Sequence, residues 1–208
     1  YLDPKKWAEQ PICVRPTVVV PMTATPPEGV CAPEVIGLEE KDRDNAGLKN
    51  RLNASKPATL VPAADVVKAA VEHGLRLAEG QPTAVGIIVN RVATAREIYA
   101  RLRALQAEPN EKKRKLPADA VVELVIGSMR PIDRDRQAER LRSLIGPGRP
   151  RRSTQTTFVV ATQCLEVGAD YDFDALVAEC ASLDALRQRF GRLNRAGRDI
   201  KAQAVILI

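Results

Sequence analysis

Near its C-terminal end the chain carries a glutamine and two arginines whose types and spacing suit a phosphate. Within Leu186-Arg187-Gln188-Arg189-Phe190-Gly191-Arg192-Leu193-Asn194-Arg195-Ala196-Gly197-Arg198, Gln188, Arg192 and Arg195 follow i, i+4 and i+7, one stripe of a helix. Leu183, Leu186, Phe190 and Leu193 fall at i, i+3, i+7 and i+10 on the opposite stripe, which would anchor that helix to a sheet. A guanidinium is planar, always charged and forked, so it suits a phosphate whose charge grows during transfer. A well-placed arginine of this kind is worth roughly 10³–10⁵ in rate. Gly191 costs about 1 kcal/mol relative to alanine inside a helix, which predicts a close approach to that backbone. The same residues also suit a solvated basic face, or a helix that holds phosphates only as counterions.

Three clusters upstream share the chemistry. Ala161-Thr162-Gln163-Cys164-Leu165-Glu166-Val167-Gly168-Ala169-Asp170 follows directly on apolar Phe158-Val159-Val160. Thr162 can donate its hydroxyl and N–H to a phosphate, Gly168 permits close approach, and Asp170 offers an acceptor to a sugar hydroxyl or a positioned water. Gly127-Ser128-Met129-Arg130-Pro131 puts a hydroxyl and an arginine at a helix start, where N–H groups and the helix dipole favour an anion. Asn90-Arg91 is a sparser version after another strand. Each cluster alone equally fits an ordinary capped turn. Together they would form one anion-binding rim along the carboxyl edge of a sheet, facing the arginine row.

Other residue types exclude chemistries. His73 is the single histidine, which rules out a centre needing several imidazoles within this chain; it reads as a surface or satisfied core side chain. Cys13, Cys31, Cys164 and Cys180 form no CxxC pair, so neither a zinc site nor a disulfide framework is expected, and a reducing cytoplasm is the natural setting. No metal ligand set is expected here. No apolar run nears the roughly 18 residues of a spanning helix, so no membrane partner is expected.

Positioning these clusters requires a regular scaffold, and 208 residues suffice for one cored domain with an arm or linker. The composition, 45% hydrophobic and 28% charged, is that of a globular chain rather than a disordered one. The net charge of +6 is concentrated in arginine runs at 130–152 and 187–201. Thr17-Val18-Val19-Val20 reads as a strand halted by prolines, and residues 26–60, polar and charged, as a linker. From 61 to 208 short apolar strands alternate with helical patterns: helices at 63–78, 93–106, 131–145 and 183–195, strands at 84–89, 121–126, 157–161, 175–178 and 204–208. This alternation predicts an α/β fold of three layers, a mostly parallel sheet with helices on both faces. Ligands of such sheets bind beyond the carboxyl ends of the strands.

In this order the clusters resemble the motifs of superfamily-two helicases. Thr23-Ala24-Thr25 resembles the Ser/Thr-Ala-Thr motif that closes a first motor lobe, and Gln188 to Arg195 is similar to the Gln-Arg-x-Gly-Arg-x-x-Arg signature. Cys164-Leu165-Glu166-Val167-Gly168-Ala169-Asp170-Tyr171-Asp172-Phe173-Asp174 and the Asn194-Arg195-Ala196-Gly197 ending resemble the CRISPR-associated helicase-nuclease of type I systems. The resemblance implies a RecA-like second lobe of the P-loop NTPase type at 61–208, a last strand of the first lobe at 1–25, and a linker at 26–60. It implies that Arg192 and Arg195 form the arginine finger, Gln188 contacts phosphates, and Gly168 and Asp170 lie beside the ribose. Thr162, Ser128, Arg130, Asn90 and Arg91 would hold nucleic acid, and Thr23 and Thr25 would couple the lobes.

The implied cofactors are ATP and Mg2+, shared with the first lobe. The implied partners are single-stranded DNA, the first lobe and a nuclease domain of the parent protein, and a guide-RNA surveillance complex. The chain has no GxxxxGK[ST] loop and no Asp-Glu pair ahead of Thr23, and it begins at Tyr1. It is therefore expected to be part of a longer polypeptide and inactive as an ATPase by itself. Two alternatives stay open: a lobe of another superfamily-two member, such as an RNA helicase or DNA-repair translocase, or a non-catalytic arginine-rich nucleic-acid-binding domain. Aromatic content of 3% argues against a base-stacking platform.

Overall fold

The computed structural model describes residues 39–80, 83–110, 115–127, 129–149, 155–165 and 170–208. The strand at 17–20, Thr23, Thr25, Ser128 and Gly168 lie outside them. Six strands, β1 (Ala58–Val61), β2 (Ala84–Ile88), β3 (Val121–Val125), β4 (Thr157–Ala161), β5 (Ala175–Glu179) and β6 (Gln203–Leu207), form one sheet in the order β1-β6-β5-β2-β4-β3. Every pairing is parallel. The central strands β2 and β4 are buried along their whole length, as expected of a sheet covered on both faces.

One face carries α2 (Val66–Leu77) and α3 (Val92–Gln106). Val67, Ala70 and Val71 of α2 and Ala95, Ile98 and Leu102 of α3 pack there on Val85, Ile87, Phe158, Val160 and Val177. Asp65 caps α2 by accepting the Lys68 N–H at 2.9 Å. The other face carries α4 (Pro131–Ile145) and α5 (Leu183–Phe190). Leu141 and Ile145 of α4 meet Val159 and Ala161, and Leu186 and Phe190 of α5 meet Ile88, Leu176 and Ala178. Between these two helices runs the link from β4 to β5, whose described residues contain no α-helix. Its Leu165, Tyr171 and Phe173 are buried on the sheet, and a Cβ on Gly86 would stand 2.9 Å from the Phe173 ring. Glycine at 86 is what lets this link lie directly on β2.

The structure departs from the sequence reading at both ends of the lobe. The stretch read as linker contains α1 (Ala46–Asn53) and β1; β1 is an edge strand, mostly exposed, so it lacks the apolar continuity that marks the buried strands. The helix predicted to run to Arg195 ends at Phe190.

Candidate functional site

All six strands point the same way, so the loops after them share one edge. At that carboxyl edge Asn90 is engaged with the fold itself. Its N–H donates to Glu179 Oε2 at 2.8 Å and its Nδ2 to the Cys180 carbonyl at 2.9 Å, while its Oδ1 accepts from Arg189 at 2.8 Å. Arg189, only 2% exposed, also donates to the Glu179 carbonyl at 2.7 Å, which ties α5 to the ends of β2 and β5. Thr162 is buried as well, its N–H 3.4 Å from the Val125 carbonyl and its hydroxyl 3.7 Å from Cys164 Sγ. Arg91 and Arg130 are exposed cations at this edge, each at the N-cap of a helix. Arg130 Nε meets Asp133 at 2.6 Å, an exposed pair of the kind worth about 0–1 kcal/mol. A phosphate would displace it readily.

The arginine row is not a helical stripe. Leu193 leaves the helix to form a parallel bridge with Phe173: the Phe173 N–H donates to the Arg192 carbonyl and the Asn194 N–H to the Phe173 carbonyl, both at 2.8 Å. Leu193 becomes fully buried, and this tertiary pairing outweighs the helical spacing. Asn194 takes φ 41, a left-handed conformation that asparagine tolerates better than most side chains. Gly191 is the C-cap, and a Cβ there would stand 3.1 Å from the Gln188 carbonyl of its own helix, so the helix end itself makes the position tight.

Gln188 lies half-buried on α5. Arg192 is 8% exposed and its Nε donates to the Leu165 carbonyl at 3.1 Å. Burial pulls its pKa down, and the neighbouring Arg195 pulls the same way while Asp170 opposes. Arg195 keeps its side chain 43% exposed, with Nε 2.7 Å from Asp170 Oδ1. Arg195 and Asp170 are thus two candidate residues that the fold brings into direct contact.

Beneath that pair is a buried ionic cluster. Asp172, fully buried, accepts the Arg195 N–H on Oδ1 at 2.7 Å and Arg198 Nε on Oδ2 at 2.8 Å. Asp174 accepts the Ala84 N–H at 2.8 Å and Arg149 Nη2 at 2.7 Å, and Arg198 Nη2 forms an ion pair with it at 2.7 Å. Burial is the largest influence on both arginines. It wins at Arg149, whose pKa falls despite Asp174; at Arg198 the Asp172 and Asp174 carboxylates prevail and the pKa rises.

Asp174 also donates its N–H to the Ala84 carbonyl, at the start of β2, so the cluster stands at the amino edge of the sheet. The expected single rim at the carboxyl edge is thus split. Thr162 and Asn90 remain at that edge, whereas the link after β4 must cross the whole face before β5 can begin parallel to it, and it takes Asp170 and its arginine partner along. Sequence reasoning missed Asp172, Asp174, Arg149 and Arg198. The available signal was the alternation Asp170-Tyr171-Asp172-Phe173-Asp174: a period of two puts three carboxylates on one side of an extended segment and two rings on the other, and both rings are core residues.

The end of α5 and the turn at 194–198 are also braced from residues 50–56. Lys56 Nζ donates to the Phe190 carbonyl at 3.0 Å, and burial lowers its pKa, against Asp172. Gly197 has φ 67, and a Cβ there would stand 2.4 Å from the Asn50 carbonyl carbon. Left-handed backbone costs an L-residue about 1–2 kcal/mol before any clash. Gly197→Ala is therefore expected to destabilise the chain by about 2 kcal/mol, read as a lower denaturant midpoint. An unchanged midpoint would show that α1 does not press on this turn.

A family model described as the C-terminal part of the CRISPR-associated nuclease/helicase Cas3 matches residues 81–198, more than half of the chain. The CRISPR-associated helicase Cas3 of Thermoproteus tenax is 38% identical over 128 residues, which span 61% of this chain and 18% of that protein. Among solved structures, T. fusca Cas3 with ADP superposes with a TM-score of 0.60 at 22% identity, covering 73% of this chain and 18% of the other. A chain of a CRISPR RNA-guided surveillance complex in a pre-nicking state gives a TM-score of 0.56 at 23% identity, covering 74% and 19%. The fold is RecA-like, as these neighbours show, and the chain spans under a fifth of the length of each of these proteins.

Proposed function

The chain belongs to the family of CRISPR-associated nuclease/helicase Cas3 C-terminal helicase domains, and from that premise we propose that it is the second motor lobe of an ATP-driven DNA helicase, supplying its arginine finger and part of its single-stranded DNA track. One observation carries the reading: Arg195 holds an exposed guanidinium against an exposed carboxylate, Asp170, at 2.7 Å, on a turn whose backbone is fixed from below. Such a pair is worth about 0–1 kcal/mol in water, so a nucleotide phosphate can take the place of Asp170. Arg192 stands behind as a second cation, and Gln188 completes the phosphate contacts. Asp170, once released, accepts from a ribose hydroxyl, with Gly168 beside it. Bound ATP supplies the phosphoryl group whose developing charge the guanidinium stabilises. ATP and Mg2+ are held jointly with the first lobe, since the sequence offers no phosphate-cradling loop of its own.

In this reading residues 1–25 end the first lobe, Thr23 and Thr25 transmit its movement, and the second lobe's sheet opens at β1. The carboxyl edge serves as the DNA track: Arg91, Arg130 and Ser128 hold phosphates, while the hydrogen-bonded Asn90 and the buried Thr162 shape the loops that present them. The partners are a first lobe, a nuclease domain and a guide-RNA surveillance complex, in the cytoplasm. Among the described residues no helix is long and apolar enough to cross a membrane.

The track is tested by Arg91→Ala and Arg130→Ala in the full-length parent. Each is expected to weaken single-stranded DNA binding and to reduce the salt slope by about 0.7, the value for one lost phosphate contact. ATP turnover at saturating DNA should stay near the wild-type rate. An unaltered slope in both variants would remove the carboxyl edge from the DNA path.

A further inference from the structure

We infer that Asp172 is a positioning residue for Arg195, an inference that rests on the reading of Arg195 as the finger. The two acidic residues beside Arg195 have opposite situations. Asp170 is exposed and touches the movable end of the side chain. Asp172 is fully buried and touches its backbone: Oδ1 accepts the Arg195 N–H at 2.7 Å. A finger must release its resting partner when phosphate arrives, yet its Cα must not shift. Asp170 suits the first requirement and Asp172 the second.

Asp172 is itself held from several elements. Its N–H donates to the carbonyl of Ile145 at the end of α4 at 2.8 Å, and its own carbonyl accepts from Arg149 at 2.8 Å. Its second carboxylate oxygen takes Arg198 Nε at 2.8 Å. Asn194 closes the turn from within: Oδ1 accepts the Arg198 N–H at 2.8 Å and Nδ2 donates to the Arg198 carbonyl at 2.9 Å. The backbone N–H, the carbonyl and both carboxylate oxygens of Asp172 are therefore each engaged with the stretch that carries Arg195 or with the layer beneath it. A group aimed at developing charge accelerates a reaction to the extent that it needs no reorganisation when the reaction occurs, and Asp172 supplies that fixity.

The test is a double-mutant cycle in the full-length parent, with amide exchange over residues 194–198 as a second readout. Asp172→Ala is expected to lower DNA-stimulated kcat by about 10²-fold, the cost of misplacing a group by roughly 1 Å. It should also speed exchange of the Arg195 amide. Asp172→Ala/Arg195→Ala should be no slower than Arg195→Ala alone, because a residue acting through another adds nothing once that other is gone. Asp172→Asn/Arg198→Gln keeps an acceptor for the Arg195 N–H without leaving a lone buried charge, and is expected to recover kcat to within about tenfold of wild type, with slow exchange restored. Losses that simply add in the cycle would overturn the inference while leaving the finger reading in place. So would an Asn/Gln variant that folds, protects the Arg195 amide and still turns over as slowly as Arg195→Ala, and this variant decides the matter if Asp172→Ala does not fold. Arg195→Ala at the wild-type rate would overturn the finger reading, and this inference with it.

Discussion

Arg195→Ala in the full-length parent is expected to cut DNA-stimulated ATP turnover by roughly 10³–10⁵, the range for a removed arginine finger, with DNA affinity and unfolding midpoint almost unchanged. The side chain is 43% exposed and its carboxylate partner 64%, so truncation forfeits an interaction of about 0–1 kcal/mol in the resting state. Its whole effect should fall on turnover. Arg192→Ala should behave differently. That side chain is buried, and removing it strips the Leu165 carbonyl of a donor, which costs about 1–3 kcal/mol when the acceptor stays dry. Arg192→Ala is thus expected to lose turnover and stability together. Arg195→Lys should not rescue, because an ammonium lacks the planar fork that meets two phosphate oxygens at once. ATPase rates, DNA titrations at several salt concentrations and thermal melts separate the cases. If Arg195→Ala weakened DNA binding with a shallower salt slope while turnover survived, the arginine would be a counterion and the domain a binding module.

How much of this was legible in the sequence depends on the kind of information each feature needs. The interior strands β2, β4 and β5 announce themselves because a strand covered on both faces must be mostly apolar, as Ala84–Ile88 and Thr157–Ala161 are. The exposed edge strand β1 has no such obligation, so Ala58–Val61 merged into a polar linker. The helical spacing of Gln188, Arg192 and Arg195 was real as a count, yet the chain leaves the helix at Gly191 because Phe173, far off in sequence, offers Leu193 a partner. Local periodicity carries no information about that partner. The Arg195–Asp170 contact was accessible because both residues belong to motifs expected to face one nucleotide. The sorting of charges beneath them was not: Arg149, Arg151 and Arg152 look alike in a basic run, and only the fold brings Arg149 to Asp174.

That difference makes Arg149 the sharpest test of the buried cluster. Its side chain is 1% exposed, and it bridges the Asp174 carboxylate at 2.7 Å and the Asp172 carbonyl at 2.8 Å. Two arginines and two aspartates balance there, so Arg149→Met leaves the cluster with an uncompensated negative charge in a desolvated place. Breaking one side of a buried pair costs about 3–5 kcal/mol, and for a chain of this size each kcal/mol lowers the midpoint by about 2–4 °C. A fall of about 10 °C is expected. Asp174→Asn on the same background should recover part of it, since the lone charge is gone while an oxygen remains for the Ala84 N–H. Turnover should fall with Arg149→Met as well, because Arg149 holds the carbonyl of Asp172 and Asp172 holds Arg195. That joint loss of stability and rate is opposite to the pattern expected of Arg195→Ala. A melt of Arg149→Met that matched wild type would mean that the cluster's charges are solvated and that Arg149 does not support the Arg195 turn.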